Sequence, residues 1–382
     1  MRKTLWTITV TAVLALAMLP ASLPAGAASQ PWVARPTAVP AAGSFYNLGN
    51  VSCTASDACT AVGAWRAPQS SYSNTLAERW DGASWTVQPT PNPAGAAGGA
   101  LFAVSCTSAT ACVAVGSENN SDGTTQPFAL SWDGATWTLQ LLPAPVGAGN
   151  IQLNAVSCVT ATWCKAAGYW FPPQFGDIHP MLLTWDGATW SLDTVPTPGN
   201  TKTAGFNDVD CFAQNACAAV GFFSNATKKS PALGETWNGS TWHVDSTSDP
   251  GAVSILYGVD CPSTTLCIGA GDYSGIFGGL NAQIQRRSGS IWANAAAPNP
   301  NAKYRHLFDI SCPTKSNCTA LGVKYNVTTA ETGYAGAYGG LGWSIQAEPA
   351  GYVLSALSCP TTSFCMAVGS DAQFNPVSAT RG

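Results

Sequence analysis

Small and apolar residues alternate with polar ones in short runs along most of the chain, and turn-forming residues separate the runs. A recurring stretch begins with an alternating run that ends in cysteine, such as "LFAVSC", and a second run opens at the next cysteine, such as "CVAVG". Alternation with a period of two between turn signals predicts short β-strands. No helical periodicity appears after the first 27 residues, so the pattern predicts an all-β protein.

The cysteines show that these strands belong to a repeat. Each pair is six positions apart, and the first cysteines of successive pairs are 53, 52, 53, 50, 51 and 47 residues apart. Self-similarity at a period near 50 residues predicts an array or a propeller. The seven pairs, which use all fourteen cysteines, are Cys53/Cys59, Cys106/Cys112, Cys158/Cys164, Cys211/Cys217, Cys261/Cys267, Cys312/Cys318 and Cys359/Cys365.

A second motif supplies two more strands in each repeat. Stretches such as "FALSWDGATWTLQLLP" contain an apolar run, an Asp-Gly turn, another run and a terminating proline. An Asp-Gly turn between alternating runs predicts a β-hairpin, and proline ends the strand. Four antiparallel strands at this period describe one propeller blade. We therefore predict a seven-bladed β-propeller of four-stranded blades.

The chain termini divide one repeat between them. Six W-D-G-like turns accompany seven cysteine pairs, and the stretch "SQPWVARPTAVP" near the start matches the fourth-strand text "ASWTVQPTPNP". Trp32 would then occupy the place that Trp85 has in the first repeat. This predicts that an N-terminal strand completes the last blade and closes the ring, which removes exposed sheet edges.

The N-terminus predicts export. Arg2 and Lys3 precede an apolar stretch and small residues near position 27, which is typical of a signal peptide. We predict a signal peptide over residues 1–27 and a propeller over residues 28–382 that is secreted or associated with the cell envelope. The apolar stretch is too short to span a bilayer, and no later one is longer. The remaining chain has 14 basic and 20 acidic residues, which argues against a nucleic-acid partner.

Disulfides are the favoured interpretation of the cysteines. An exported chain permits them, and the C-x5-C spacing differs from the shorter spacing and added ligands of zinc sites. Each bond would connect the first two strands of a blade, giving one disulfide per blade and about 2 kcal/mol in the chain-entropy model. We expect no bound metal and no cofactor.

Two resemblances support the predicted fold. The W-D-G-x-[ST]-W turn resembles the Asp-box of sialidase-like propellers, with one residue fewer between Asp and Trp; in that family the box is a folding element and lies outside the active site. The whole of residues 30–382 resembles seven-bladed propellers with C-x5-C and W-D-G-x-x-W repeats in secreted actinobacterial proteins. Kelch and galactose-oxidase-like propellers resemble it more distantly, in shape alone. These resemblances imply a fold and imply no activity.

The candidate binding residues lie in connections that differ between repeats. The cysteine hairpins and W-D-G turns should lie at one face of the propeller, and the remaining connections at the other, where sequence variety on a rigid scaffold indicates binding. Packing of loops against one another is the competing explanation for each residue. The candidates are aromatic or histidine side chains at Trp65, Tyr72, Trp170, Phe171, Phe175, Tyr273, Phe277, Tyr304, His306 and Tyr325.

The sequence favours a binding module over an enzyme. There are three histidines, each in a different repeat, acidic residues are sparse, and neither G-x-S-x-G nor H-E-x-x-H occurs. We expect a monomer that binds a glycan or cell-wall polymer through its variable loops. A protein–protein interaction scaffold is the main alternative. An extracellular glycoside hydrolase or lyase, with a site in the central funnel, is the third.

Overall fold

The computed structural model describes residues 30–38, 40, 45–174, 176–225, 230–275 and 278–382. The predicted signal peptide, residues 1–27, lies outside these ranges. Every regular element within them is a β-strand, as the alternating pattern predicted. Nothing helical in the described ranges is long and apolar enough to cross a membrane.

The strands form four-stranded antiparallel units, which we number 1 to 7 in the order of the cysteine pairs; five units are separate sheets, and units 5 and 6 belong to one nine-stranded sheet. β1 is Val33–Arg35. Unit 1 contains β2 (Phe45–Ala55), β3 (Ala58–Arg66), β4 (Asn74–Trp80) and β5 (Trp85–Gln88). Unit 2 contains β6 (Gly98–Ser108), β7 (Ala111–Asn119), β8 (Thr125–Trp132) and β9 (Trp137–Leu141). Unit 3 contains β10 (Asn150–Thr160), β11 (Trp163–Phe171), β12 (His179–Trp185) and β13 (Trp190–Leu192).

The later units repeat this order of strands. Unit 4 contains β14 (Thr201–Ala213), β15 (Ala216–Asn225), β16 (Ala232–Trp237) and β17 (Trp242–Val244), and β18 (Ser246–Thr247) follows it. Unit 5 contains β19 (Ser254–Ser263), β20 (Leu266–Ser274), β21 (Leu280–Ser288) and β22 (Ile291–Ala295). Unit 6 contains β23 (Tyr304–Thr314), β24 (Asn317–Tyr325), β25 (Thr332–Tyr338) and β26 (Trp343–Ala347). Unit 7 contains β27 (Tyr352–Thr361), β28 (Phe364–Asp371) and β29 (Pro376–Arg381).

The N-terminal strand supplies the fourth strand of unit 7, as the divided repeat predicted. β1 pairs with β29 in antiparallel register, with Val33 opposite Thr380. Trp32, just before β1, is buried against apolar residues of units 6 and 7, including Leu321 and Val377. The first and last segments of the propeller are therefore held in one sheet.

Each unit contains the predicted disulfide between its first two strands. The register explains the spacing, because a short hairpin places the two cysteines opposite each other, as in unit 1. No cysteine of the described ranges is free. The seven bonded pairs are Cys53–Cys59, Cys106–Cys112, Cys158–Cys164, Cys211–Cys217, Cys261–Cys267, Cys312–Cys318 and Cys359–Cys365.

The second cysteine of every pair lies in the core of the protein. None of these seven residues is more than 4% exposed, and each belongs to an apolar cluster, as Cys164 does with Val156 and Trp190. A ligand could not reach side chains buried in this way. They have a structural role, in the disulfides that the cysteine spacing predicted. The buried second cysteines are Cys59, Cys112, Cys164, Cys217, Cys267, Cys318 and Cys365.

The glycine that ends the "C-x-A-V-G" run is required by close packing of two strands. A Cβ atom on Gly63 would lie 1.9 Å from the carbonyl oxygen of Asn47 on the facing strand. The pairing of β2 with β3 is interrupted by a bulge directly after Leu48, opposite this glycine. The same interruption recurs between the first two strands of every unit. The repeated glycine thus permits the bulge.

A repeated hydrogen bond joins the units in a cyclic order. The residue before the first cysteine of one unit accepts a hydrogen bond from the backbone N–H of the first cysteine in the next, over 2.8–3.1 Å. Unit 7 returns to unit 1, because Ser358 accepts from Cys53. The other donor–acceptor pairs are Cys106 to Ser52, Cys158 to Ser105, Cys211 to Ser157, Cys261 to Asp210, Cys312 to Asp260 and Cys359 to Ser311.

These links involve side chains, so they differ from sheet pairing. Backbone pairing does not close the described sheets into a ring; units 5 and 6, for example, share a single parallel pairing of Leu280 with Tyr304. The first strand of each unit lies beside the first strand of the next, and β27 lies beside β2. Neighbouring units are therefore joined by side-chain hydrogen bonds and apolar packing, with a few additional backbone hydrogen bonds, such as that from Gly99 to Ser73.

Aspartates replace neutral acceptors at two positions in units 4 to 6. Asp210 and Asp260 stand where other units have serine before the first cysteine. Asp208 and Asp309 stand where unit 1 has Asn50. Asp309 accepts from the N–H groups of Ile310 and Leu357, both over 2.7 Å, and Asn50 accepts from Val104 at the corresponding position of unit 1. Burial raises the pKa of Asp309 to about 7. Burial also raises the pKa of Asp208, and the nearby charge of Asp309 adds to this effect. Burial therefore disfavours the ionised form of Asp208 and Asp309.

A second set of contacts joins the outer strands. The indole N–H of Trp137 donates to Gln88 of unit 1 over 2.9 Å, and that of Trp242 donates to Asp193 of unit 3 over 2.8 Å. Similar bonds start from Trp85, Trp190, Trp292 and Trp343. The Trp32 indole N–H makes no hydrogen bond within the described protein. Gln346 of unit 6 corresponds to Gln88 of unit 1. It accepts a hydrogen bond from Arg381 of unit 7 and none from Trp32.

We expect Ser105→Ala to weaken the junction between units 2 and 3, because the Cys158 N–H loses its acceptor. The free energy of unfolding should fall by about 1–2 kcal/mol, as measured by guanidinium denaturation with the disulfides intact. Ser121→Ala, in an exposed loop of unit 2, is the matched control and should change it by less than about 0.5 kcal/mol. Equal losses in both variants would contradict a special role for Ser105.

We expect Asp309→Asn to reduce the pH dependence of stability. A carboxyl whose pKa is raised in the folded state binds its proton more tightly there, so stability decreases as pH rises from about 4 through about 7. Asparagine cannot ionise and can still accept from Leu357, as Asn50 does from Val104. The loss of stability between about pH 5 and pH 8 should therefore be smaller in the variant, as followed by denaturation at each pH.

Asp133→Asn is the control for this experiment. Hydrogen bonds from the backbone N–H groups of Thr136 and Ala135 lower the pKa of Asp133, so its titration lies below the pH window of the test. The control variant should keep the pH dependence of the unsubstituted protein. An unchanged pH dependence in Asp309→Asn would show that this carboxyl does not titrate there.

Candidate functional site

The repeated connections lie together at one end of the units, which we call the repeat face. The Trp80 indole, just before the W-D-G turn, donates to the carbonyl of Ser56 in the cysteine hairpin over 3.1 Å. A Cβ atom on Gly82 would lie 3.0 Å from the Cβ of Asp57. The two turns of a unit therefore contact each other, as their expected placement at one face requires.

The aspartates of the W-D-G turns have a local structural role. Oδ1 of Asp81 accepts from the backbone N–H groups of Ala83 and Ser84 over 2.9 and 2.8 Å. Asp133 and Asp186 make the same pair of bonds, as the sequence predicted. These bonds lower the pKa of Asp81, with the Ser84 N–H making the largest contribution. The aspartates thus stabilise their own turns.

The opposite end, which we call the variable face, contains a cleft between units 5 and 6. This interunit cleft has a volume of about 270 Å³ and lies among the ends of β20, β21, β22 and β23. Its apolar lining consists of Pro250, Ala282, Ile284, Ala295, Ala297 and Pro298. Its polar and aromatic lining consists of Tyr273, Asn281, Gln283, Asn294, Asn299 and Arg305.

Hydrogen bonds between the lining residues hold the polar side chains in place. Arg305 at the start of β23 donates through Nη1 to Asn299 and through Nη2 to Asn281. Gln283 donates to Asn294 over 3.1 Å and accepts from Ser254 over 2.7 Å. The cleft is therefore pre-organised, which reduces the entropic cost of binding a ligand.

Four of the predicted binding residues lie in this region of units 5 and 6. Tyr273 lines the cleft directly. Tyr304 precedes Arg305 and stacks on Tyr325, with ring centroids 4.6 Å apart and planes 10° apart. His306 follows Arg305 on the same strand, so its side chain points to the opposite side of the sheet. The structure thus brings together residues from two units.

His306 belongs to a separate cluster behind the cleft. Its Nδ1 contacts Oδ2 of Asp272, which is buried, and its ring packs 4.6 Å from Tyr257 and 4.5 Å from Phe308. Burial raises the pKa of Tyr257 to about 12, and the charge of Asp272 contributes to the rise. Tyr257 is therefore protonated at neutral pH and available as a hydrogen-bond donor.

Four other predicted residues, all within the described ranges, lie elsewhere in units 1 and 3. Trp65 packs against the core of unit 1, and Tyr72 is exposed in the same unit beside a second cavity of about 320 Å³. Trp170 of unit 3 stacks on His179 with ring centroids 4.4 Å apart, and Phe171, next to it, is half-buried. Phe175 and Phe277 lie outside the described residues.

Sequence reasoning missed the amides and the arginine of the cleft. Asn281, Asn294 and Asn299 come from three segments of the chain, and their meeting place depends on how unit 5 packs on unit 6. A signal was present in the stretches "LNAQIQRR" and "NPNAKYRH", which are rich in amides and cations. The predicted binding residues included both neighbours of Arg305, Tyr304 and His306, but not Arg305 itself.

Comparisons with known proteins identify the fold. No protein-family model matches the sequence, and no curated protein matches it either. The β-propeller domain of the trilobed protease from Pyrococcus furiosus, described as having an open velcro topology, aligns with 89% of this chain and 94% of its own, at 6% identity and a TM-score of 0.53. This chain has a β-propeller fold. Among the described residues, no group of three or more His, Cys, Asp or Glu could hold a metal ion.

Two further solved propellers are similar. A Hadza microbial sialidase aligns with 86% of this chain and 74% of its own, at 12% identity and a TM-score of 0.50. The SapL1 lectin, solved with alpha methyl fucoside, aligns with 81% of this chain and 98% of its own, at 12% identity and a TM-score of 0.45. At 12% identity, the likeness to the sialidase shows the fold alone.

Proposed function

We propose that this protein is a binding module that recognises a glycan or cell-wall polymer through its variable face. The observation that carries the proposal is the interunit cleft, where amide side chains, a guanidinium and Tyr273 surround a floor of small apolar residues. Amides bind sugar hydroxyls through hydrogen bonds, and an aromatic ring can pack on the apolar face of a sugar. The volume of about 270 Å³ is slightly below the ~300–1,000 Å³ of typical ligand pockets and suits a single sugar ring.

The chemistry of the described carboxylates favours binding over glycoside hydrolysis. Hydrolysis usually requires two carboxyl groups on either side of the scissile bond, one as an acid and one as a base or nucleophile. Each of Asp208 and Asp309 accepts two backbone hydrogen bonds, one from the next residue of its own strand and one from the neighbouring unit. The interunit cleft contains no acidic residue in its described lining. A hydrolase or lyase with a central site is therefore the weaker alternative.

We also propose the architecture and location in which this module works. The seven units would form a closed seven-bladed propeller, supported by the cyclic hydrogen bonds and by the pairing of β1 with β29. Residues 1–27 would be removed on export, leaving residues 28–382 as a monomer outside the cell or at its envelope. The seven disulfides support an oxidising compartment. Membership of the secreted actinobacterial propellers would follow from the same features.

The proposal predicts saturable binding to a polysaccharide that depends on the interunit cleft. Ala295→Trp should fill the cleft and weaken binding at least tenfold, as measured on an array of neutral and acidic glycans and cell-wall polysaccharides. The matched control is Ala83→Trp, in an exposed W-D-G turn of the repeat face. Unchanged thermal unfolding of both variants would exclude a general loss of structure.

The outcomes separate the competing functions. Binding that is lost in Ala295→Trp and kept in Ala83→Trp supports the proposed site. Equal loss in both variants, or equal retention, would move the site away from the cleft. Absence of binding to every glycan and wall polymer would contradict carbohydrate recognition and favour a protein partner.

A further inference from the structure

The interunit cleft contains a cation without an ion-pair partner. Arg305 contacts two neutral amide oxygens, and no Asp or Glu forms a salt bridge with it among the described residues. Its Nε is buried and makes no hydrogen bond there. This positive region stands out on a chain whose net charge is negative.

The amides around the cleft present donors to a ligand. Their oxygens are already used inside the protein, because Asn281 and Asn299 accept from Arg305, Asn294 accepts from Gln283, and Gln283 accepts from Ser254. The Nδ2 groups of the three asparagines make no hydrogen bond within the described protein. The cleft therefore offers N–H donors and positive charge to an incoming group.

Two acidic residues near this region, Glu348 and Asp272, form no salt bridge with Arg305 among the described residues. Glu348 and Arg305 both lie close enough to Tyr334 to influence its pKa, in opposite directions. Burial raises the pKa of the Glu348 carboxyl to about 8. It is therefore mostly protonated at neutral pH. Asp272, on the neighbouring strand, faces the other side of the sheet and contacts His306. Arg305 remains the dominant charge in the cleft.

We infer that the interunit cleft binds a carboxylate-bearing sugar, of the hexuronic acid class, with the carboxylate directed at Arg305. A carboxylate is planar and supplies only acceptors, which matches the guanidinium and the free amide N–H groups. Tyr273 and the small apolar residues leave space for the sugar ring. The inference rests on the proposed function and narrows it from glycans in general to acidic ones.

The test compares one sugar with and without its charge. Titration calorimetry measures binding of the exported protein to polygalacturonate and to its fully methyl-esterified form, which keeps the sugar and removes the carboxylate charge. We expect at least tenfold weaker binding of the ester. Raising the ionic strength should weaken binding of the acid and leave binding of the ester unchanged, because salt screens charges that face solvent.

Three variants connect the charge preference to Arg305. Arg305→Gln should weaken binding of the acid by roughly tenfold or more, since a charged hydrogen bond is lost, and Arg305→Lys should recover part of it. Asn281→Asp places a carboxylate of nearly the same shape beside Arg305, so it should remove the preference for the acid while the fold is kept. Lys315→Gln, in the exposed cysteine hairpin of unit 6, removes a charge from the other end of the same unit and should have no effect.

The possible failures can be told apart. Equal affinity for the acid and the ester would overturn the inference and leave glycan binding in place. Equal affinity for a sulfated polysaccharide that contains no carboxylate would overturn the choice of a carboxylate. Loss of the acid preference in Lys315→Gln as well as in Arg305→Gln would place the charge effect outside the cleft. If no glycan binds, the proposed function itself fails.

Discussion

The arrangement of the units depends on one repeated hydrogen bond, from the backbone N–H of the first cysteine to the side chain that precedes the first cysteine of the neighbouring unit. Serine supplies the acceptor in five units and aspartate in two, and the cycle includes the contact of Cys53 with Ser358. Sheet pairing contributes little at these junctions, because most backbone groups of a unit are paired within it and units 5 and 6 share a single pairing. A side chain that reaches across the junction holds neighbouring units in a fixed position without requiring their strands to pair.

The other repeated features fit around this bond. The disulfide fixes the hairpin that carries the donor, and the glycine of the following run permits the bulge in the strand that carries the acceptor. At the outer strands, tryptophan indoles donate to the preceding unit and cover the apolar junction. Inner strands, outer strands and repeat face are thereby all constrained. The variable face carries none of these contacts, so its residues can differ from unit to unit without loss of the fold.

The interunit cleft, at the junction of units 5 and 6, is formed by residues of the variable face. Arg305 lies in the first strand of unit 6 and is held by amides from the third strand of unit 5 and from the link between the units. Neutral partners fix the guanidinium in position without cancelling its charge, whereas a carboxylate partner would have done both. Such an arrangement is costly for stability alone, because a cation loses solvation and gains no counter-charge. A ligand carboxylate would offset that cost.

The sequence alone determined the strand alternation, the seven repeats, the cysteine pairing and the division of one sheet between the termini, because each is encoded by spacing along the chain. The sequence also pointed to the connections that differ between repeats, and two residues chosen there, Tyr273 and Tyr304, lie in the region of units 5 and 6. Only the tertiary structure brought Asn281, Asn294, Asn299 and Arg305 together and turned three amide oxygens inward. Those contacts cross a junction between two packed sheets, and no periodicity within a single repeat records how neighbouring sheets meet.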